Sequence, residues 1–481
     1  MVRAMKKVGQ GFWGYLLALG LVWGWLVWGW AQPSQSQVEA RAAIQEFLIR
    51  VKPAQMARVY AAAESSQEKA PDLPDSPQNI DQDAIKEFPI INFGPSGAGL
   101  SPTQPSGFPP ASPSLAPVAS PRPPKLAGQK RSLRLLATGD ILTHTSLRVA
   151  ASLKDGGFDF IPFFEHVTDL FHQGDLVIGN LETPLAGAER GYSGYPQFNA
   201  PEELAASLKA VGFTTLVLAN NHALDRGWSG LAATINNVQK AGLDYAGAYV
   251  DPADKARRLI SVYNGILVGV LAYSYGFNGS PGPNKEEDWR LGFIENEGAL
   301  EDIFEARRRG ADFVIVNLHF GQEYQRQPNQ SQKDLVGRIL EGDPERGLMG
   351  ADIVLGHHPH MVQPYLVGAR RDQDQLVVFS LGNFISNQSK PYTNLGLILD
   401  CLLSIDEAGR KAIEAINLIP TACHTLVVDR RKTFRVFPLA MAVDSPSSLS
   451  FLSKNELKKM AKHQAEMERH LLSLMEPKPK K

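Results

Sequence analysis

The chain of 481 residues has little cysteine and no excess of either charge sign. Its two cysteines, Cys401 and Cys423, are too few for a cysteine-based zinc site or a disulfide scaffold, and they are either paired with each other or two buried thiols. The formal net charge of -1 shows no basic bias, so we expect no nucleic-acid partner. The sequence also contains no internal repeat.

A long apolar run is present near the N-terminus, from Phe12 to Ala31, and it follows several basic residues. This order is typical of an export signal, and Gly29 and Ala31 are the small residues that cleavage after Ala31 would need. A run of about twenty residues is also long enough to span a bilayer uncleaved. We therefore predict a signal peptide or membrane anchor over residues 1–35, with the rest of the chain extracytoplasmic, either anchored or secreted.

The next two segments differ sharply in composition. Residues 36–64 carry Ile44, Phe47, Leu48 and Val51 at helical spacing, which predicts a helical segment. Residues 65–131 are rich in Pro, Ser, Gly and Ala and have few periodic apolar positions. Such a segment buries too little surface to offset the entropy of ordering, so we predict a disordered linker.

Residues 132–445 alternate strand-like and helical runs, which predicts an α/β layered domain. The predicted helices cover 201–211, 231–241 and 300–309, and two further strands cover 266–272 and 376–379. A helical tail is expected over 446–481, because Ser453 and Glu456 fit a capping box before a stripe of apolar residues. The stripe is either a packing face or a docking surface for a partner.

Five short apolar runs of the buried-strand type end in side chains that metals bind. They lead respectively into Asp140 and His144, into Asn180 and Glu182, into Asn221, His222 and Asp225, into His319 and Glu323, and into His357, His358 and His360. In open α/β sheets, sites form beyond the carboxyl ends of the strands. We therefore expect these side chains to meet in one pocket and to bind metal, since neutral imidazole is a common metal ligand.

Seven ordered motifs over about residues 132–441 resemble the capsule-synthesis family called CapA, or poly-γ-glutamate synthesis. They are GDILTH, GNLETPLAG, FNAP, LANNHALDRG, HFGQEY, GADIVLGHHPHMVQ and FSLGNFI. That family is similar to the calcineurin-like metallophosphoesterases in its motif order. The resemblance implies a layered αββα metallophosphoesterase-like sandwich, in which two β-sheets pack together with helices outside.

The resemblance also implies roles for individual residues. The implied metal ligands are Asp140, His144, Glu182, Asn221, His319, His358 and His360, and the implied catalytic residues are His222 and Asp225. Several alternatives stay open. Asn180 is the alternative to Glu182, His357 is the alternative to a neighbouring histidine, and His144 either binds metal or supports a ligand. Asp225 either fixes the His222 tautomer or caps a helix.

Mixed nitrogen and oxygen donors without thiolate fit two divalent metal ions, Zn, Mn or Fe, with Ni and Co as further options. The expected function is that of an exported metal-dependent hydrolase of capsule or exopolymer synthesis, which cleaves a phosphoester or an amide-type bond. The alternative is a non-catalytic scaffold that binds polymer. The expected partners are an anionic exopolymer or phosphoester substrate, the membrane through the N-terminus, and other capsule-synthesis proteins.

Overall fold

The computed structural model describes residues 128–154, 156–294, 298–370, 373–428 and 431–474. The predicted membrane segment, the predicted helix over 36–64 and almost all of the predicted linker lie outside these residues. In the described part of the chain, no helix combines the length and the apolar character needed to cross a bilayer.

The first sheet has eight strands and holds the start of the domain together with its C-terminal part. These strands are β1 (Arg131–Ile141), β2 (Leu176–Leu181), β3 (Thr215–Val217), β4 (Asp244–Ala246), β11 (Asn383–Ile385), β12 (Leu395–Ile405), β13 (Lys411–Val428) and β14 (Arg431–Pro438). Their order is β14-β13-β12-β1-β2-β3-β4, and β11 pairs with β1. Strands β1 to β4 are parallel, whereas β12 runs antiparallel along β1 from Arg131 to Thr138.

The second sheet has six strands. They are β5 (Ser261–Tyr263), β6 (Ile266–Ser274), β7 (Phe313–His319), β8 (Ile353–His357), β9 (Val362–Arg370) and β10 (Gln373–Leu381). Their order is β5-β6-β7-β8-β10-β9, in which β6, β7, β8 and β10 are parallel. Both sheets therefore bring carboxyl ends of parallel strands to an edge, where α/β folds build their sites.

Helices connect the strands of both sheets. They are α1 (Thr145–Ala151), α2 (Glu165–Phe171), α3 (Glu203–Val211), α4 (Gly227–Lys240), α5 (Pro252–Arg258), α6 (Gly298–Arg308), α7 (Gln330–Glu341), α8 (Met441–Asp444) and α9 (Lys454–Leu471). Short 3-10 turns cover Ile161–Phe164, Ala188–Arg190 and Pro446–Leu449. The helices predicted over 201–211, 231–241 and 300–309 correspond to α3, α4 and α6.

The two sheets pack together, and helices cover their outer faces. One buried apolar cluster joins Leu135 of β1 to Ile315 of β7 and includes residues of α2, α3 and α4. A second cluster joins Val314 of β7 to Ile303 of α6 and Ile339 of α7. Val314 and Ile315 fall in different clusters because successive strand residues point to opposite faces. The predicted α/β architecture of two packed sheets with outer helices is thus confirmed.

The C-terminal tail forms α9, and Ser453 and Glu456 make the expected capping box. Met460, Met467 and Leu471 are buried against the domain, so this stripe is a packing face. Both cysteines are free, buried thiols, which agrees with the unpaired alternative. Burial raises the pKa of the Cys423 thiol to about 11.

Candidate metal centre

The ends of β1, β2, β7 and β8 bring the predicted side chains together. Asp140, Glu182, His319, His358 and His360 are all buried at this edge. Asp140 is held by a close approach of two backbone segments, because its N–H donates to the Gly382 carbonyl at 2.9 Å. A Cβ atom at Gly139 would lie 1.8 Å from that carbonyl oxygen, so only glycine fits at this position of β1.

Asp140, Glu182 and His360 form the first candidate group. Each offers one ligand atom, and these atoms all lie within 4.8 Å of one another. His360 Nδ1 is 3.0 Å from Asp140 Oδ2 and 3.8 Å from Glu182 Oε2. Two carboxylates and one imidazole at this spacing are a donor set for a divalent cation.

Glu182, His319 and His358 form the second candidate group, again with their ligand atoms within 4.8 Å. His319 Nε2 is 3.4 Å from Glu182 Oε1 and 3.0 Å from Asn221 Oδ1. The two groups share Glu182, and Asn221 lies beside the second group.

Unpartnered polar atoms show that these residues fit metal ions. Both oxygens of Glu182 and the Nδ1 atom of His358 are buried without a hydrogen-bond partner among the described residues. Buried polar atoms almost always have partners, because an unpaired one loses its hydration without compensation. Cations at the two groups would satisfy these atoms.

The charged groups at the site shift one another's pKa values. Burial alone would raise the pKa of Asp140, but hydrogen bonds from His357 and His360 lower it well below its usual value. Burial and the neighbouring charge of Asp140 raise the pKa of Glu182 to about 8. Burial opposes protonation of His360, yet Glu182 and Asp140 raise its pKa to about 9. The metal-free site thus holds protons that cations would displace.

Two of the histidines are held neutral. Burial lowers the pKa of His319 well below its usual value, and neighbouring imidazoles add to this effect. Burial lowers the pKa of His358 in the same way, assisted by His319 and His360. Neutral imidazole is the form that binds metals, so both rings are ready to act as ligands.

His357 and His358 are adjacent in sequence but make different contacts. His357 Nδ1 is 3.6 Å from Asp140 Oδ1, and its Nε2 is 3.3 Å from Asn317 Oδ1. His357 belongs to neither candidate group among the described residues, whereas His358 belongs to the second. The geometry therefore favours His358 and His360 as the ligands of this turn, with His357 supporting Asp140.

His222 and Asp225 lie next to the metal-binding groups. His222 Nδ1 is 2.8 Å from Asp225 Oδ2, which also accepts the Phe198 N–H at 2.7 Å. Asp225 precedes α4, but Arg226 occupies the N-cap position. The contact favours the tautomer-fixing role of Asp225 over the capping role.

His144 and Glu323 lie apart from both groups. His144 Nδ1 is 3.3 Å from the Leu142 carbonyl, and burial lowers the pKa of His144 to about 4. His144 is in neither candidate group among the described residues, so its ligand role stays a prediction. Glu323 is exposed and hydrogen-bonds Tyr324.

Several further residues contact the candidate ligands, and two of them, Asn278 and Tyr275, had no assigned role in the sequence. Asn180 Nδ2 donates to Asp140 Oδ1 at 2.8 Å and lies 3.3 Å from His319 Nδ1. Asn278 Nδ2 is 3.1 Å from His222 Nδ1, and the Tyr275 ring centre is 4.6 Å from that of His358. Asn383 Oδ1 is 3.1 Å from His360 Nδ1. Asn180 lies near the end of β2, and this position marks it in the sequence as the alternative to Glu182, whereas Asn278 and Tyr275 lie in a loop without a motif.

Comparison with known proteins identifies the family. Residues 134–388 match the model described as "Bacterial capsule synthesis protein PGA_cap". "Capsule biosynthesis protein CapA" of Bacillus anthracis is 31% identical over 267 residues, which cover 54% of this chain and 61% of that protein. "PGA biosynthesis protein CapA" of Bacillus subtilis is 29% identical over 284 residues, which cover 58% of this chain and 70% of that protein. The chain therefore spans about three fifths of the length of the Bacillus anthracis relative.

Solved structures that align with this chain include those of two bacterial proteins. The calcineurin-like phosphoesterase YfkN of Bacillus subtilis aligns with a TM-score of 0.34 and 16% identity, over 72% of this chain and 100% of that chain. The NAD nucleotidase of Haemophilus influenzae aligns with a TM-score of 0.37 and 14% identity, over 71% of this chain and 61% of that chain. The match to the family model spans more than half of the sequence and contains every residue of both candidate groups. The chain thus belongs to the family of bacterial capsule synthesis proteins.

Proposed function

We propose that this protein is an exported metal-dependent hydrolase of capsule or poly-γ-glutamate synthesis, with a dinuclear site. The observation that carries the proposal is the overlap of two buried ligand groups at Glu182. A carboxylate has two oxygens and can serve two cations at once. The names of the Bacillus relatives support the place of the reaction in capsule or PGA synthesis.

One cation would be held by Asp140, Glu182 and His360, and the other by Glu182, His319 and His358 with the Asn221 oxygen beside them. Bound there, divalent cations such as Zn, Mn or Fe would polarise a phosphoryl or carbonyl oxygen and lower the pKa of water to near neutral. The substrate class that fits is a phosphoester or an amide-type bond of an anionic polymer.

His222 is the residue placed to move a proton. Asp225 Oδ2 accepts a hydrogen bond from His222 Nδ1 at 2.8 Å, so His222 Nε2 can act on the substrate. An imidazole in this state can steady or protonate the oxygen or nitrogen of a leaving group. The Phe198 ring packs edge-on at 4.7 Å and restricts the His222 ring.

Metal content and turnover test the proposal on the purified full chain. Elemental analysis should find divalent metal, and the loaded protein should hydrolyse an aryl phosphate or a γ-glutamyl oligomer. Asp140→Asn should lose metal, and His222→Ala should keep metal but lose turnover. His172→Ala, at an exposed histidine, is the matched control and should behave like the parent.

Two results would count against the hydrolase. A metal-loaded parent without turnover on either substrate removes the enzymatic part of the proposal. Polymer binding that survives His222→Ala in such a protein would instead support the scaffold alternative.

A further inference from the structure

An exposed lysine lies one aromatic ring away from the candidate metal centre. Lys390 Nζ is 3.7 Å from the centre of the Tyr324 ring. The Tyr324 ring centre is in turn 6.1 Å from that of His360, a residue of the first ligand group. A positive charge is therefore held on an aromatic face beside the site.

Both residues are fixed by their backbones. Tyr324 has a φ of 66°, which few residues other than glycine adopt, and its N–H donates to the Pro359 carbonyl at 2.8 Å. This bond ties Tyr324 to the turn that carries His358 and His360. The Lys390 carbonyl accepts from Thr393 Oγ1 at 2.7 Å. The position of Tyr324 is thus coupled to the turn that carries the candidate ligands, and Lys390 lies on its ring.

No carboxylate in the part of the chain that the structure describes forms an ion pair with the Lys390 ammonium. The ion pairs recorded among the described residues do not include Lys390, although the side chain is exposed. The neighbouring carboxylate, Glu323, hydrogen-bonds the Tyr324 hydroxyl. An ammonium on an aromatic face keeps donors free on its solvent side, where an incoming oxyanion can bind.

We propose that Tyr324 and Lys390 form a specificity subsite that binds an oxyanion of the substrate, either carboxylate or phosphate, next to the reacting bond. The inference rests on the proposed function of the same site. Its physical basis is the position of two positive centres: the reacting group would lie at the metal centre, and Lys390 would bind a second anionic group of the substrate.

Competition experiments with the metal-loaded full chain test the subsite. The probes are a short γ-linked glutamate oligomer and inorganic phosphate, each used as an inhibitor of aryl phosphate hydrolysis. Lys390→Met keeps the apolar stem and should weaken binding of at least one probe by roughly fivefold. Loss for the oligomer alone identifies carboxylate as the ligand, and loss for phosphate alone identifies phosphate.

Three controls separate recognition from a structural effect. Lys390→Arg should retain most of the affinity. Lys240→Met removes an exposed lysine at the end of α4, before β4 begins, and should not change binding. Binding to the parent should also weaken more steeply with added salt than binding to Lys390→Met, because one charge pair is screened.

The outcomes distinguish the subsite from the hydrolase. Calorimetric binding of the two probes needs no turnover, so a parent without hydrolysis can still show loss of binding in Lys390→Met. Unchanged affinity of Lys390→Met for both probes, an equal loss in Lys240→Met, or no binding of either probe to the parent would overturn the subsite. Metal content and melting temperature equal to those of the parent show that the variant is folded.

Discussion

His222 and Asp225 are joined by a contact of 2.8 Å between Nδ1 and Oδ2 within one turn of the chain. Among the described residues, no hydrogen bond is made by the other ring nitrogen of His222. An imidazole can donate a proton only in the correct tautomer and orientation, and Asp225 sets both for His222. The proposed proton transfer therefore depends on Asp225, which does not need to contact a metal.

Replacement of Asp225 by asparagine should reduce turnover about tenfold to a hundredfold while metal content stays the same, since Asp225 orients His222 and is in neither ligand group. Steady-state kinetics and elemental analysis of the same preparation check this. If Asp225→Asn loses metal in proportion to activity, the orienting role is wrong.

Glu182→Gln should have opposite effects on metal binding and on stability. The variant should lose metal, because both ligand groups use Glu182. Without metal it should be more stable than the parent above pH 8 by about 1 kcal/mol, because it removes a buried charge whose oxygens have no hydrogen-bond partner among the described residues. Denaturant unfolding after chelation measures the difference.

Asp140→Asn is the contrasting variant. The Asp140 carboxylate accepts from Asn180 and contacts His360, and its pKa is held well below the usual value. Loss of this charge should therefore destabilise the metal-free protein, also under conditions where Glu182→Gln stabilises it. A change of the same sign in both variants would contradict the assigned electrostatics.

The stability of the metal-free protein should be greatest near neutral pH. The pKa values of Glu182 and His360 are raised to about 8 and about 9, so the folded state holds more protons than the unfolded state on the alkaline side. Each group should lower stability by about 1 kcal/mol per pH unit between its unfolded-state pKa and its raised pKa. Both groups therefore lower stability as pH rises above about 6.5, Glu182 until about pH 8 and His360 until about pH 9. His319 and His358 have lowered pKa values, so stability should also fall as pH drops below about 6.5.

Denaturant midpoints across this pH range, measured with and without chelator, test the profile. Metal should remove the alkaline loss, since metal ligands must be deprotonated and binding becomes tighter as pH rises. A metal-free protein that gains stability between pH 7 and 9 would refute this profile.

Gly139→Ala should destabilise the protein by about 3 kcal/mol or more, because the new Cβ would meet the Gly382 carbonyl at 1.8 Å. Gly337→Ala in α7 is the matched control. A Cβ there meets nothing within 4 Å, so the change should be neutral or stabilising by up to about 1 kcal/mol. Thermal unfolding of both variants gives the comparison.

Local sequence patterns predicted the site better than they predicted its surroundings. Asp140, Glu182 and His319 each end a buried strand, and parallel strands carry such residues to a common edge. Asn278 and Tyr275 reach the site from a loop, where no periodicity marks a residue. Their contacts with His222 and His358 join distant parts of the chain, and such contacts arise only when the whole domain packs.

In the fold, too, local sequence patterns predict some elements and not others. The sequence predicts the helices α3, α4 and α6 with small errors in their bounds. Gly212, Gly242 and Gly310 mark where these helices stop. The three antiparallel strands β12, β13 and β14 were not predicted, although they complete the first sheet. In β12 no apolar–polar alternation marks the strand, since both of its faces are largely buried.

The pairing of β12 with β1 makes the family boundary a poor place to cut the chain. The match ends at residue 388, whereas β12, its two neighbouring strands and α9 all follow it. A fragment trimmed there would leave the flank of β1 as an open edge next to Asp140, ready to pair with other molecules and aggregate. It would also lose the 2.7 Å ion pair between Glu466 of α9 and Arg326. A fragment that keeps β1 paired on this side must therefore extend beyond residue 388, through β12.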